Sequence, residues 1–142
     1  MEELQPRKLD DYCRIFDISL FDLYLKCIFC KGYLTLKDLA CFHMKDLSLL
    51  WRNNICFACC ERCVIASARY EASRHFQCIF QTDHLHVITG VPLQSLDVRC
   101  YYCLSVLDTA EKFDLIARNR PTCLVRGYFR APCRECLRRE IY

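Results

Sequence analysis

Two blocks of four cysteines constrain this chain more than any other feature. The first opens with Cys27-Ile28-Phe29-Cys30 and closes with Cys60-Glu61-Arg62-Cys63, and the second runs from Cys100-Tyr101-Tyr102-Cys103 to Cys133-Arg134-Glu135-Cys136. In both blocks 29 residues separate the inner cysteines, and each cysteine of the second stands 73 positions after its counterpart in the first. A C-x-x-C turn presents two thiolates to one ion, and two such turns complete the tetrahedron of soft ligands that zinc takes in a closed structural site. The pattern predicts two zinc ions, one held by Cys27, Cys30, Cys60 and Cys63 and one by Cys100, Cys103, Cys133 and Cys136.

Local spacing leaves one ambiguity of register, because Cys56-Phe57-Ala58-Cys59 is a further C-x-x-C directly before Cys60. Shifted by 73 positions, Cys56 and Cys59 fall on Phe129 and Pro132, which cannot ligate a metal. The repeat therefore assigns Cys60 and Cys63 to the first site. Cys13, Cys41, Cys56, Cys59, Cys78 and Cys123 have no partner in the repeat and read as small buried apolar residues.

A chain of 142 residues with an internal repeat implies two small modules, each too short to bury a self-sufficient apolar core. Metal binding then becomes part of the folding free energy, on the order of 10 kcal/mol or more per site. Fourteen cysteines also fit a disulfide framework, so the compartment has to be argued. The amino terminus is charged and lacks an apolar core, so it is no secretory signal; there is no Asn-x-Ser/Thr sequon and no apolar run long enough to span a membrane. We expect an intracellular chain with reduced thiols, off the membrane, holding metal in place of disulfides.

A net charge of +3 with acidic residues interspersed gives weak attraction to nucleic acid and no committed binding surface. The hydrophobic fraction of 54%, cysteine included, leaves apolar surface for a partner. Three glycines are little material for a phosphate cradle, and no Ser-His-Asp set or carboxylate pair stands out, so nothing supports an enzyme. His84 and His86 form an H-x-H with no third ligand nearby and read as part of a solvated loop; His43 and His75 likewise read as structural or solvated.

The patterning predicts an α+β fold of two homologous four-cysteine zinc modules joined by a linker helix. Residues 1–8 read as a flexible arm. One or two short amphipathic helices follow between Leu9 and Leu25, with Ser19 as a cap. Tyr33-Leu34 is strand-like, Thr35 caps a helix, and Leu47 to Trp51 is a strand that turns at Asn53-Asn54 into Ile55-Cys56-Phe57. In the second copy the order is Val106-Leu107, a helix starting near Asp108, then Leu124-Val125, Arg126-Gly127 and Tyr128-Phe129. The first module spans 9–63 and the second 100–142. Apolar residues at helical spacing from Val64 to Ile79 predict the linker helix over 64–80, and 81–99 forms the connection, with Gly90 and Pro92 in a loop.

With this cysteine spacing, and with Pro6-Arg7-Lys8-Leu9, Lys45-Asp46-Leu47, Trp51-Arg52, Arg74-His75, Val98-Arg99-Cys100, Glu111-Lys112 and Val125-Arg126-Gly127, the chain resembles papillomavirus early protein six over nearly its whole length. The resemblance implies a viral adaptor without catalysis. Its two modules and the helix between them would form a groove that clasps an acidic L-x-x-L-L helix of a host protein. That protein is a HECT-type ubiquitin ligase, redirected to targets such as a tumour suppressor, or a mastermind-like coactivator, whose Notch signalling is thereby blocked. Host transcription, growth control and apoptosis would be altered, in the host nucleus and cytoplasm.

At positions matching the family's apolar trough stand Ile28, Phe29, Leu47, Leu50 and Val64, and at its basic rim Arg7, Lys8, Arg74 and Arg99. Ser67 replaces a tyrosine and Tyr128 a frequent basic residue, both on the implied peptide-binding face. The last four residues, Arg139-Glu140-Ile141-Tyr142, lack the pattern of a PDZ ligand, so no ordinary PDZ partner is expected, and the chain would be a monomer or self-associate weakly. A rival reading is a zinc-dependent transcription regulator that binds nucleic acid; it would need a concentrated basic face, at which Arg134, Arg138 and Arg139 only hint. A RING-type ligase is disfavoured, since that class interleaves its ligand pairs and this chain repeats complete blocks in tandem.

Overall fold

The structure, a computed structural model, describes residues 5–141 and divides after Val64 into two compact units. The first contains α1 (Leu9–Ile15), a 3₁₀ turn at Leu20–Asp22, β1 (Lys26–Cys27), α2 (Leu36–Met44), β2 (Leu50–Arg52) and β3 (Ile55–Ala58). Helix α3 (Glu61–Arg74) begins in it and runs past the division. The second contains β4 (Phe76–Gln81), a 3₁₀ turn at Thr82–His84, α4 (Leu85–Thr89), a further 3₁₀ turn at Leu93–Ser95 and β5 (Val98–Cys100). It continues with α5 (Thr109–Ala117), β6 (Pro121–Val125), β7 (Tyr128–Ala131) and α6 (Arg134–Ile141). The sheet orders are β1-β3-β2 and β4-β6-β7-β5.

The 73-residue period of the cysteines extends to the backbone. Helices α2 and α5 begin and end 73 positions apart, as do strands β3 and β7. Strand β1 pairs parallel with β3 and β5 with β7, while β2–β3 and β6–β7 are antiparallel hairpins. Left-handed residues recur at the same spacing: Lys31 and Leu104 (both φ 63°), Asp46 and Asn119, Asn53 and Arg126, Asn54 and Gly127. Two consecutive positive-φ residues make the tight turn that matches strand twist, which the Asn53-Asn54 pair tolerates and Gly127 adopts freely. Side chains of low identity thus build one backbone twice, each around its own core: Leu25, Leu34, Leu39 and Phe42 in the first, Val98, Leu107, Leu115 and Leu137 in the second.

Each unit starts its central helix with a reciprocal cap. The Thr35 hydroxyl accepts from the Asp38 N–H (3.1 Å) and one Asp38 carboxylate oxygen accepts from the Thr35 N–H (3.0 Å). Asp108 and Glu111 do the same for α5, at 2.7 and 3.0 Å. In both the second carboxylate oxygen reaches the start of the following helix: Asp38 accepts from the Glu61 N–H (3.2 Å), Glu111 from the Arg134 N–H (2.8 Å). One carboxylate therefore satisfies donors at two helix N-termini, where its charge also complements both dipoles.

The repeat is broken instructively at Lys112, which stands where the first unit buries Leu39 (2% exposed) and is itself 5% exposed. Its ammonium donates to the carbonyls of Leu93 (3.2 Å), Gln94 and Leu96, using all three of its protons and pinning the preceding 3₁₀ turn. Replacing Lys112 by Met keeps the stem and strips those carbonyls of their donor, so we expect the second unit to lose about 2–4 kcal/mol. Thermal unfolding followed by residue-resolved NMR checks this; a loss below about 0.5 kcal/mol, the level of an ordinary surface substitution, would mean that water replaces the ammonium.

Three sequence expectations are corrected. The linker helix over 64–80 instead ends at Arg74, and Phe76–Gln81 is a strand whose Ile79 and Phe80 pair with Cys123 and Thr122 of β6. Ala72, Phe76 and Ile79 do fall on one helical face, yet Phe76, Cys78 and Phe80 also alternate with polar Gln77 and Gln81; the ladder along β6 decides between the two. The connection over 81–99 is likewise structured: α4 ends on Gly90 (φ 72°), and β5 closes the segment.

The third correction concerns the flexible arm over 1–8, of which residues 1–4 lie outside the described residues. Pro6 is buried and its carbonyl accepts from Trp51 Nε1 (2.9 Å), while the Arg7 carbonyl accepts from the Leu49 N–H (2.6 Å). Shifted by 73 positions, Arg7 and Leu49 fall on Phe80 and Thr122, a pair in the β4–β6 ladder. The arm thus holds beside β2 the place that β4 holds beside β6, and Pro6, which has no N–H, keeps it from forming a regular strand.

Candidate metal centres

The first pair of each cysteine group sits in a tight loop closed by backbone hydrogen bonds. The Cys27 N–H donates to the Gly32 carbonyl (2.8 Å) and the Lys31 N–H to the Cys27 carbonyl (3.0 Å); the same bonds run from Cys100 to Ser105 (2.7 Å) and from Leu104 to Cys100 (3.1 Å). Parallel pairing of Cys27 with Ala58 and of Cys100 with Ala131 then brings this loop beside the start of the next helix, which carries the second pair. The Sγ atoms of Cys27, Cys30, Cys60 and Cys63 all lie within 4.8 Å of one another, and so do those of Cys100, Cys103, Cys133 and Cys136. These are the ligand sets assigned by the repeat, brought together in space.

The donor geometry fits zinc. Sulfurs at about 2.3 Å from a tetrahedral zinc stand about 3.8 Å from each other, and the Sγ–Sγ separations are 3.9 Å for Cys30–Cys60 and 3.8 Å for Cys103–Cys133. The N–H groups of Tyr102 and Cys133 point at the Cys100 sulfur at 3.4 Å, donors suited to a thiolate. Crowding sets the protonation. Burial opposes ionisation of Cys27, but N–H donors from Cys30, Cys60 and Phe29 hold it down to about 6. Hydrogen bonds from Cys100 and Cys133 likewise lower Cys103, and Cys133 is pushed up by its bonds to Cys100 and Cys103. Four sulfurs this close cannot all ionise unless a cation shares their charge, which a divalent ion at the centre supplies. Zinc so held is structural: all four positions are protein sulfur. The two groups differ in exposure, since Cys30 is exposed while Cys100, Cys133 and Cys136 are buried.

Cys59 lies outside the first group, half-buried, with its Sγ 3.6 Å from the Cys60 carbonyl, and Cys56 is buried in the first core. Burial pushes both thiols up to about 12, which keeps them protonated. His84 ends a 3₁₀ turn and His86 lies on α4, both exposed, and neither belongs to a cluster of potential ligands among the described residues.

The residues matched to a peptide trough are placed unevenly. Leu50 lies on β2 with 37% exposure and Phe29 on the metal loop with 62%, while Ile28 and Leu47 are half-buried. Arg7 is exposed, and the Lys8 ammonium meets Asp46 Oδ1 at 3.2 Å and the Asp46 carbonyl at 3.0 Å, next to Leu47. Val64, at 4% exposure, is an interior residue, because its position on α3 faces inward together with Ala68 and Ala72. Ser67 is half-buried on α3, and Arg74 ends that helix with its guanidinium 5.8 Å from the Tyr70 ring. In the second unit Arg99 donates to the Leu104 carbonyl (2.8 Å), and Tyr128 is exposed at the start of β7 with Arg130 over its ring. The residues that sequence reasoning missed are Asp38 and Glu111; the T-x-x-D and D-x-x-E spacing signalled their caps but not their reach to the next helix. The expectation about PDZ partners rests on the chain's last residues, of which Tyr142 and the Ile141 side chain lie outside the described part.

A family model described as Early Protein (E6) matches residues 27–136, from the first ligand of the first group to the last of the second. Protein E6 of human papillomavirus type 60 is 48% identical over 136 residues, 96% of this chain and 96% of that protein. Protein E6 of human papillomavirus 4 is 44% identical over 140 residues, 99% of this chain and 100% of that protein. The solution structure of the C-terminal zinc-binding domain of HPV51 oncoprotein E6 covers 48% of this chain and 88% of that one, at 25% identity and a TM-score of 0.40.

Proposed function

The chain belongs to the E6 family of papillomavirus oncoproteins, and from that premise we propose that it is a zinc-dependent adaptor that captures acidic L-x-x-L-L helices of host proteins. An amphipathic helix of this kind needs an apolar surface for its leucines and cations for its acidic flanks. The observation that carries the reading is local to the first unit. The arm residues Arg7 and Lys8 are anchored against the segment that carries Leu47 and Leu50, through the Arg7 carbonyl at Leu49 and the Lys8 ammonium at Asp46. The Lys8 ammonium is thereby held at Asp46, directly before Leu47, and Arg7 is exposed beside it, with Ile28 and Phe29 supplying further apolar area. Val64 acts from beneath, as packing under α3.

The captured helix belongs to a HECT-type ubiquitin ligase, redirected to new targets, or to a mastermind-like coactivator whose Notch signalling is blocked. Titration of the zinc-loaded chain with one fluorescent peptide from each distinguishes the two. Binding to neither would sink the reading. Leu50→Glu sets a carboxylate on the apolar surface against an acidic peptide, and we expect affinity to fall about 100-fold, some 3 kcal/mol, with two zinc ions retained. Leu47→Glu should weaken capture too, but Leu47 packs against the first core, so its zinc content has to be read in parallel. Undiminished affinity in Leu50→Glu would place the peptide elsewhere.

A further inference from the structure

Each unit carries a cavity outside its metal centre, and the two cavities are copies of one another. The first, about 350 Å³, opens between α1, the Ile18–Leu20 segment and the end of α2; the second, about 570 Å³, opens between α4, the Val91–Gln94 segment and α5. Every one of the seven residues lining the first has its counterpart, 73 positions on, lining the second. The floor is apolar in both, Ile18 with Leu20 and Val91 with Leu93, and each cavity has an aspartate at its edge, Asp10 and Asp83.

That aspartate sets the cavities apart from a by-product of the fold. Outside the cysteines, the residues identical at the 73-residue spacing are Asp10/Asp83, Ile15/Ile88, Leu20/Leu93, Leu23/Leu96, Leu34/Leu107 and Ala58/Ala131. Five pairs are apolar; the aspartate pair alone is polar, and both its members are exposed. The Asp10 carboxylate makes no hydrogen bond or salt bridge among the described residues, and that of Asp83 meets only the exposed His84, at 3.9 Å. Complementing the α1 dipole does not require Asp10, since Asp11 occupies the same first turn.

We propose that the two cavities are a duplicated docking site for a peptide segment of a partner protein that sets an apolar side chain beside a lysine or arginine. The apolar floor takes the side chain and the aspartate takes the cation, an arrangement that a mostly apolar pocket with one convergent charge fits. Acidic L-x-x-L-L helices carry the wrong charge for it, so the site is separate from the surface around Leu50 and does not depend on that reading.

The test is an NMR titration of the full, zinc-loaded, ¹⁵N-labelled chain with two six-residue peptides, one with a Leu-Leu pair flanked by arginines and the other with the same pair flanked by glutamates. Shifts confined to amides around Ile18, Leu20, Val91 and Leu93 with the basic peptide, and absent with the acidic one, are expected. Asp10→Asn and Asp83→Asn should each weaken binding at its own cavity by roughly fivefold, as for a partly exposed charge contact. Val91→Trp, which fills the second cavity, should abolish shifts there and leave those at the first. Shifts elsewhere, equal response to both peptides, no response, or indifference to both aspartate substitutions would each overturn the proposal; zinc content and the unbound spectrum report whether every variant is folded.

Discussion

Replacing Cys60 by serine is expected to lower the zinc content from two ions per chain to one and to unfold the first unit, while the second keeps its spectrum. The Cys60 Sγ stands 3.9 Å from that of Cys30, within a group of four whose members are all within 4.8 Å. A structural zinc contributes on the order of 10 kcal/mol, comparable to the whole stability of a small domain, so a unit deprived of one thiolate has no reserve. Cys59→Ser provides the contrast. Its thiol is half-buried, held protonated by burial and outside the group, so the variant should retain two ions and lose about 1–2 kcal/mol from placing a hydroxyl in that site. Metal analysis with circular dichroism reads both. Equal loss of zinc in the two variants would break the assignment of register.

The second large effect is expected at Asp38. Its carboxylate accepts from the N–H of Thr35 and from that of Glu61, so Asp38→Ala removes a cap from α2 and another from α3 together. We expect about 2–4 kcal/mol, twice an ordinary cap, and faster loss of zinc to a chelator, because the start of α3 carries Cys63. Burial alone would raise the Asp38 carboxyl, but the N–H donors of Thr35 and Glu61 outweigh it and hold the group below the usual carboxylate range. A depressed folded pKa stabilises above the unfolded value of about 3.9 and is lost as pH falls through the folded one. The stability difference between parent and Asp38→Asn should therefore stay constant from about pH 6 to 8 and narrow only in acid, near and below pH 4. A difference that varied with pH near neutrality would assign the effect to another group.

Much of the metal chemistry was legible in the sequence, because C-x-x-C spacing is a local property and because a repeat supplies its own internal control. The Asn53-Asn54 turn and the Thr35 cap were legible for the same reason: the residue that defines each lies within a few positions of the backbone group it serves. Surface placement was legible only in part. Leu50 and Phe29 are accessible, but Val64 is interior, since apolar character alone does not separate a residue that lines a surface from one that packs beneath it.

What the sequence by itself determined, then, was the set of interactions closed over short spans: two sets of four thiolates, the helix starts beside them and the duplication. Tertiary structure decided everything closed over long ones. It ended α3 at Arg74 and made Phe76–Gln81 a strand, because a six-residue segment compatible with helix or strand takes the state whose hydrogen bonds find partners, and those partners lie on β6, forty or more positions away. It drew Gln5 to Lys8 into the place beside β2 that β4 holds beside β6, turned Asp38 and Glu111 to cap two helices each, and buried Lys112 under three carbonyls where its counterpart is Leu39. In each case the deciding partner is distant along the chain, and only the folded backbone brings it within bonding distance.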